Sequence, residues 1–269
     1  MAPVPRFVIT FSASDPTSGA GLQADLLTLA GMGCHPLTVV TGTTAQDTHG
    51  VIALQALDAT WVDTQARALL GEFRPSAFKL GVLGSPENAA AVAAILAAHP
   101  TVPVVLDPVL ASGRGDALGP DGMLDALREH VLPLVSIATP NVPEARALAG
   151  GGRRPLKDCA QRILGLGCRH VLVTGTHADT EDVVNGLYDA QGLVREDRWP
   201  RLPGSYHGSG CTLASAIAAR LAQGASVEHA CREAQEFTWQ ALAAGFRPGT
   251  GQHLPDRFFW VRDVAGASA

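Results

Sequence analysis

At 269 residues the chain is long enough to bury a core without disulfide or metal staples, and 46% hydrophobic with 17% charged residues excludes a disordered polymer. A formal charge of −5, with Lys79 and Lys157 the only lysines and Arg153–Arg154 the densest basic pair, leaves no basic stripe and excludes nucleic acid as the expected partner. Five cysteines without a C-x-x-C suit neither a disulfide framework nor a zinc site; with no signal-peptide pattern at the N-terminus and no apolar run of membrane-spanning length, a cytoplasmic protein is expected.

Short β-branched runs alternate with amphipathic stretches. Arg6–Ser12 reads as a strand, Leu22–Met32 as a helix, and His35–Thr41 as a second strand that ends in a small-residue loop, TGTTAQDTHG. Val51–Leu57 is a further strand before a helix from Thr60 to Glu72. Ala77–Leu80 and Val102–Leu106 are buried strands flanking an Ala-rich helix from Pro86. Leu134–Ala138 and His170–Thr174 complete the run of buried strands. Val183–Tyr188 and Leu193–Arg198 form a hairpin around Ala190-Gln191-Gly192, and two helices, Cys211–Gln223 and Val227–Ala244, follow. Strands alternating with helices predict a mainly parallel sheet covered on both faces. With no repeat and no linker, one domain over residues 1–269 is expected. Ligands of such folds sit beyond the carboxyl ends of the strands.

The strongest motif is His207-Gly208-Ser209-Gly210-Cys211, ahead of a helix whose Leu213, Ile217 and Leu221 mark one buried face. Small residues before a helix let backbone N–H groups approach an anion, and the helix N-terminus adds about half a positive charge. The same position is expected to lower the Cys211 thiol from about 8.5. Gly19-Ala20-Gly21-Leu22-Gln23-Ala24 fits the dinucleotide pattern G-x-G-x-x-A. The second strand, however, ends in Thr41-Gly42-Thr43, with no acid for a ribose hydroxyl. Asn141-Val142-Pro143-Glu144 is a helix start that also offers hard oxygen groups at a strand end, and Asp107 ends another strand. There is no P-loop, G-x-S-x-G or H-E-x-x-H, and Cys34, Cys159, Cys168 and Cys231 read as small core residues.

The pieces SASDPTSGAGLQADL, TGTTAQDTHGV, FKLGVLGS, VVLDPV, TPNVPEA and LPGSYHGSGCTLASAIAA span nearly the whole chain. Together and in this order they resemble the hydroxymethylpyrimidine/phosphomethylpyrimidine kinases of thiamine biosynthesis, within the ribokinase-like superfamily. The resemblance implies a ribokinase-like three-layer α/β/α sandwich, use of ATP and Mg2+, and two successive phosphorylations of a small pyrimidine, first at its hydroxymethyl group and then on the resulting monophosphate. It places the pyrimidine against Ala20, Asp25, Gln46, Val82 and Val109, with Asp25 and Gln46 pairing with the aminopyrimidine edge. It places the nucleotide on Asn141, Glu144 and Thr174, the metal on Asp107 and Glu144, and the catalytic anion hole on Gly208, Ser209 and Gly210 beside Cys211, the expected base. Ser18 stands where the family often has glycine, Val82 where methionine is common, and Thr174-Gly175-Thr176 where K-G-G is frequent. Pyridoxal kinase is the nearest alternative. From other classes come a cysteine hydrolase built on Cys211 and His207, and a non-catalytic ligand-binding regulator. A homodimer stays open beside the monomer.

Overall fold

The protein is described by a computed structural model over residues 4–110, 120–177 and 180–261. One nine-stranded sheet runs through it in the order β3-β2-β1-β4-β5-β6-β7-β8-β9. The strands are β1 (Phe7–Ser14), β2 (His35–Gln46), β3 (Val51–Ala56), β4 (Ala77–Leu80), β5 (Val104–Leu106), β6 (Ile137–Ala138), β7 (Val171–Val173), β8 (Asp182–Asp189) and β9 (Gly192–Pro200). From β2 to β7 every pairing is parallel, and β3, β8 and β9 are joined antiparallel at the two edges. The parallel strands are buried on both faces, which is why FVITFSAS, AFKL, VVL and VLV read as nearly continuous apolar runs.

Alternation along those strands feeds two separate cores. Ile9, Phe11, Phe78 and Leu80 face α2 (Ala59–Glu72), α3 (Pro86–Ala97), α5 (Val142–Leu148) and α6 (Leu156–Gly165). Val8, Ala77, Val105 and Ile137 face α1 (Gly21–Gly31), α7 (Ser209–Ala222) and α8 (Val227–Ala243). A short helix, α4 (Met123–Ala126), continues through Leu127–Leu134 toward β6. Local chemistry sets several starts: Asp58, Ser85 and Ser226 cap α2, α3 and α8 through their side chains, and Pro86 takes the first turn of α3. The result is the expected three-layer ribokinase-like α/β/α sandwich.

The sequence reading differs most in TGTTAQ, taken as a loop. Here β2 continues to Gln46, and its outer half pairs antiparallel with β3 from Gly42↔Ala56 to Gln46↔Val51. Small threonines suit a two-stranded ribbon as well as a loop, and the partner strand decides. This ribbon carries Thr44, Gln46 and Val51 to the rim of a cavity beyond the strand ends.

Candidate active site

The site is built around the N-terminus of α7. Gly208 caps it with φ +83, and a Cβ at this position would overlap the carbonyl oxygen of Gly19. Only glycine lets the loop after β1 lie this close. Thr212 Oγ1 donates to Gly208 O at 2.8 Å and holds the first turn. The backbone at Ser209, Gly210 and Cys211 opens into a cavity of about 860 Å³.

Strand order then sorts the walls. Gln46 on β2, Ala20 after β1, Val82 after β4 and Val109 after β5 line one half; Asn141 and Glu144 after β6 and Thr174 after β7 line the other. Asp107, Gly208, Ser209, Gly210 and Cys211 complete the lining. The structure therefore brings together on one cavity every expected site residue except Asp25.

Asp25 lies beneath the floor and has no exposed surface. Its oxygens accept from Lys79 Nζ at 2.8 and 2.9 Å, Thr10 Oγ1 at 2.6 Å and Ser215 Oγ at 2.8 Å. These bonds spend both oxygens, so the carboxylate expected to meet the ring instead anchors a buried ion pair. The strand pattern explains it. Thr10, Ser12 and Lys79 alternate with the apolar residues of β1 and β4, and so share the face of α1 and α7, which supply Asp25 and Ser215.

Burial governs the electrostatics above this pair. The Cys211 thiol is pushed up to about 12: desolvation dominates, nearby Lys79 opposes it, and Asp107 and Asp25 add to it. The expected lowering at the helix N-terminus is overridden, and Cys211 is a thiol at neutral pH beside the Asp107 carboxylate. Asp107 is raised to about 6 by desolvation, with Lys79 pulling it down. Glu144 is raised to about 8 by desolvation and by the charge of Asp107. Lys79 stays protonated: burial works against its charge, and Asp25 with the other acids outweighs burial. Asn141 and Glu144 form a reciprocal cap at the start of α5, with Asn141 N–H donating to Glu144 Oε2 at 2.9 Å and Glu144 N–H to Asn141 Oδ1 at 3.0 Å.

Sequence reasoning missed three features of the site. His207 Nε2 bonds Asp15 Oδ2 at 2.9 Å, and Asp15 also accepts the N–H groups of Ala20 and Thr17. Burial raises the Asp15 carboxyl, but these bonds outweigh it and hold the group below its ordinary value. The acid side chain in Asp15-Pro16-Thr17 was the available signal, an Asx turn waiting for a partner. At the other end Asn185 Oδ1 accepts Gly175 N–H at 2.9 Å and so fixes the loop after β7. Gln235 backs Asn185 at 2.8 Å and bonds Asp197 at 2.9 Å. The third feature is Arg257, buried at 3% exposure behind the α7 N-terminus.

A helix N-terminus facing buried carboxylates across a cleft at strand ends is a phosphoryl-binding arrangement, and relatives share its framework. A hydroxymethylpyrimidine/phosphomethylpyrimidine kinase of Streptomyces coelicolor is 39% identical over 254 residues, covering 92% of each chain. A phosphomethylpyrimidine kinase structure from Clostridium difficile superposes with a TM-score of 0.76 at 32% identity, over 88% of this chain and 99% of that one. A Staphylococcus aureus pyridoxal kinase solved with ADP superposes with a TM-score of 0.88 at 27% identity, over 97% of this chain and 96% of that one. The family model described as phosphomethylpyrimidine kinase matches residues 15–256, which take in all of the cavity lining but Ala13 and Ser14, and the chain belongs to that family.

Proposed function

We propose that this chain transfers the γ-phosphoryl group of ATP to the hydroxymethyl group of 4-amino-5-hydroxymethyl-2-methylpyrimidine, and then phosphorylates the monophosphate to the diphosphate. The observation that carries the reading is one cavity in which the α7 N-terminus stands between the Ala20, Gln46, Val82, Val109 wall and the Asn141, Glu144, Thr174 wall. The pyrimidine takes the first wall and the nucleotide the second. The chain works as one domain, in the cytoplasm, where its five buried free cysteines stay reduced. Among the described residues no helix is long and apolar enough to cross a membrane.

Catalysis is positioning and charge stabilisation, as a loose phosphoryl-transfer transition state requires. The backbone donors at Gly208, Ser209 and Gly210 hold the transferring oxygens. The acceptor proton leaves to the Cys211–Asp107 pair: Cys211 takes it as its own proton passes to Asp107, so the thiol serves as a relay without a standing thiolate. Asp107 and Glu144 are two buried carboxylates, both raised by burial, and hard oxygens of this kind fit Mg2+, which takes one or two carboxylates and completes its shell with phosphate and water. Bound there, the ion would supply neutralisation of the nucleotide's phosphates. The hydrolase reading has no such support, because His207 is turned to Asp15 and burial holds the Cys211 thiol protonated.

Coupled ADP release with hydroxymethylpyrimidine, its monophosphate and pyridoxal, measured side by side, tests the proposal. Turnover with both pyrimidines at kcat/KM well above pyridoxal is expected. Preference for pyridoxal would transfer the assignment to the activity named for the Staphylococcus neighbour, and ADP release with none of the three would overturn it.

A further inference from the structure

The C-terminal segment after α8 returns to the site and inserts one charge behind it. Its backbone bonds the strand leading to the anion loop on both sides: His207 N–H to His253 O and His253 N–H to Ser205 O, each 2.9 Å. From there Arg257 reaches inward. Nη2 donates to Gly19 O at 2.5 Å, Nη1 to Ser18 O at 3.3 Å, and Nε to Thr212 Oγ1 at 3.0 Å. Thr212 passes the contact on, donating to Gly208 O at 2.8 Å.

Two loops of the site thus meet on one guanidinium. Ser18 and Gly19 belong to the loop whose next residue, Ala20, lines the pyrimidine wall; Thr212 and Gly208 belong to the anion loop. Ser18 holds φ +60, an uncommon conformation for a residue with a side chain, and Arg257 adds a partner from outside to a loop that Asp15 braces from within. The planar fork of arginine is suited to hold two adjacent carbonyls and a hydroxyl at once; a lysine ammonium on its flexible stem is not. The family match ends at residue 256, so Arg257 lies just outside it while the three groups it holds lie within.

We propose that Arg257 is a positioning residue that locks the pyrimidine-side loop against the anion loop, so that the acceptor hydroxyl and the phosphoryl group meet in line. The inference rests on the kinase reading for its kinetic consequence and on geometry alone for its structural one. Misplacement of reacting groups by about 1 Å costs on the order of a hundredfold. Arg257→Ala is therefore expected to lower kcat for hydroxymethylpyrimidine by about ten- to a hundredfold, and to release more ADP than phosphorylated pyrimidine as water intercepts the transfer. ATP affinity by calorimetry should stay within about threefold, because the distant Asn141 and Thr174 wall is untouched. Millimolar methylguanidinium should restore part of the coupling in Arg257→Ala, and Arg257→Lys should recover little.

Amide hydrogen exchange supplies a readout that needs no substrate. Residues 18–21 and 208–212 should exchange faster together in Arg257→Ala, and in Thr212→Val, which removes one prong and keeps the volume. Unchanged exchange in both loops overturns the clamp whatever the reaction is. So does a kcat within twofold of the parent with ADP and product still in step. A loss of turnover that parallels a loss of ATP binding, unresponsive to methylguanidinium, overturns it equally, since that marks general unfolding.

Discussion

Asp25→Asn separates a ring-binding carboxylate from a structural one. In the parent, Lys79 and Asp25 are both without exposed surface, and their atoms approach to 2.8 Å. The amide keeps the shape but removes the charge, leaving an ammonium in the core with no partner on that side. Breaking one half of a buried pair costs about 3–5 kcal/mol. At roughly 2–4 °C per kcal/mol for large domains, the melting temperature should fall by on the order of 10 °C. Asp25→Asn with Lys79→Met removes the orphan and should regain most of the loss, because an apolar replacement of a buried pair is often neutral. The alkaline limb gives an independent sign. Lys79 has a folded pKa raised above its ordinary 10.5; its stabilisation is complete below that value and is lost as pH rises through the folded one. Lys79→Met should therefore lower stability at neutral pH and flatten the fall above about pH 10.5. Calorimetric melting from pH 6 to 11, with hydroxymethylpyrimidine titrated into the folded variants, reads both. If Asp25→Asn melts within about 2 °C of the parent while pyrimidine affinity falls tenfold or more, the carboxylate serves the ring and the ion-pair argument is wrong.

Gly208→Ala should abolish turnover, since the added Cβ overlaps Gly19 O at φ +83; full activity in a folded Gly208→Ala variant would contradict the close packing of the two loops. Cys211 should resist iodoacetamide at pH 7.5 because burial holds its thiol up to about 12; Cys211→Ser should keep a sizeable share of kcat by relaying a proton, Cys211→Ala should not, and rapid alkylation with loss of activity would restore the thiolate. Asp107 at about 6 and Glu144 at about 8 must shed protons to hold a cation, so Mg2+ affinity should climb between about pH 6 and 8 with proton release, and Glu144→Gln should flatten the upper part. Calorimetry in buffers of different ionisation heat checks it, and pH-independent Mg2+ affinity would remove the two carboxylates from the metal.

The sheet was legible because its physics is local. Runs such as AFKL and VVL announce buried parallel strands, and Ser85 with Pro86 announces a helix start. The anion loop was legible for the same reason: Gly208-Ser209-Gly210 precedes an evident helix. What escaped depends on which distant groups meet. His207 and Asp15 are 192 residues apart in sequence, and Arg257 lies 238 positions from Gly19. Nothing in either neighbourhood names its partner. Asp25 misled for a related reason: a carboxylate on the helix after a phosphate-type loop can turn up to a ligand or down to a strand. The decision was written in Lys79, a charged residue inside the run AFKL, which required an acid on the same face. The thiol misled because a helix dipole was weighed without the desolvation that full burial brings.

The lysine under the floor accounts for why an apolar core was not used there. Replacing Lys79 and Asp25 by well-packed hydrophobes would cost the fold little, yet the charge acts upward as well as sideways. Asp107 is pushed up by burial and pulled down by Lys79 in the same balance. Cys211 is subject to the same opposition. Without the ammonium both would be harder to ionise, and Asp107 would be less ready to take a proton or to face a cation. Asp25 in turn keeps Lys79 charged against its own burial. The three groups form a vertical stack in which a spent carboxylate holds a cation and the cation keeps a working carboxylate ionised. Asp25 also bears on the chemistry directly, because its own charge raises Asp107; with the ammonium still in place, Asp25→Asn should shift the acid limb of the pH–rate profile downward, whereas loss of a ring contact would move KM and leave that limb where it was.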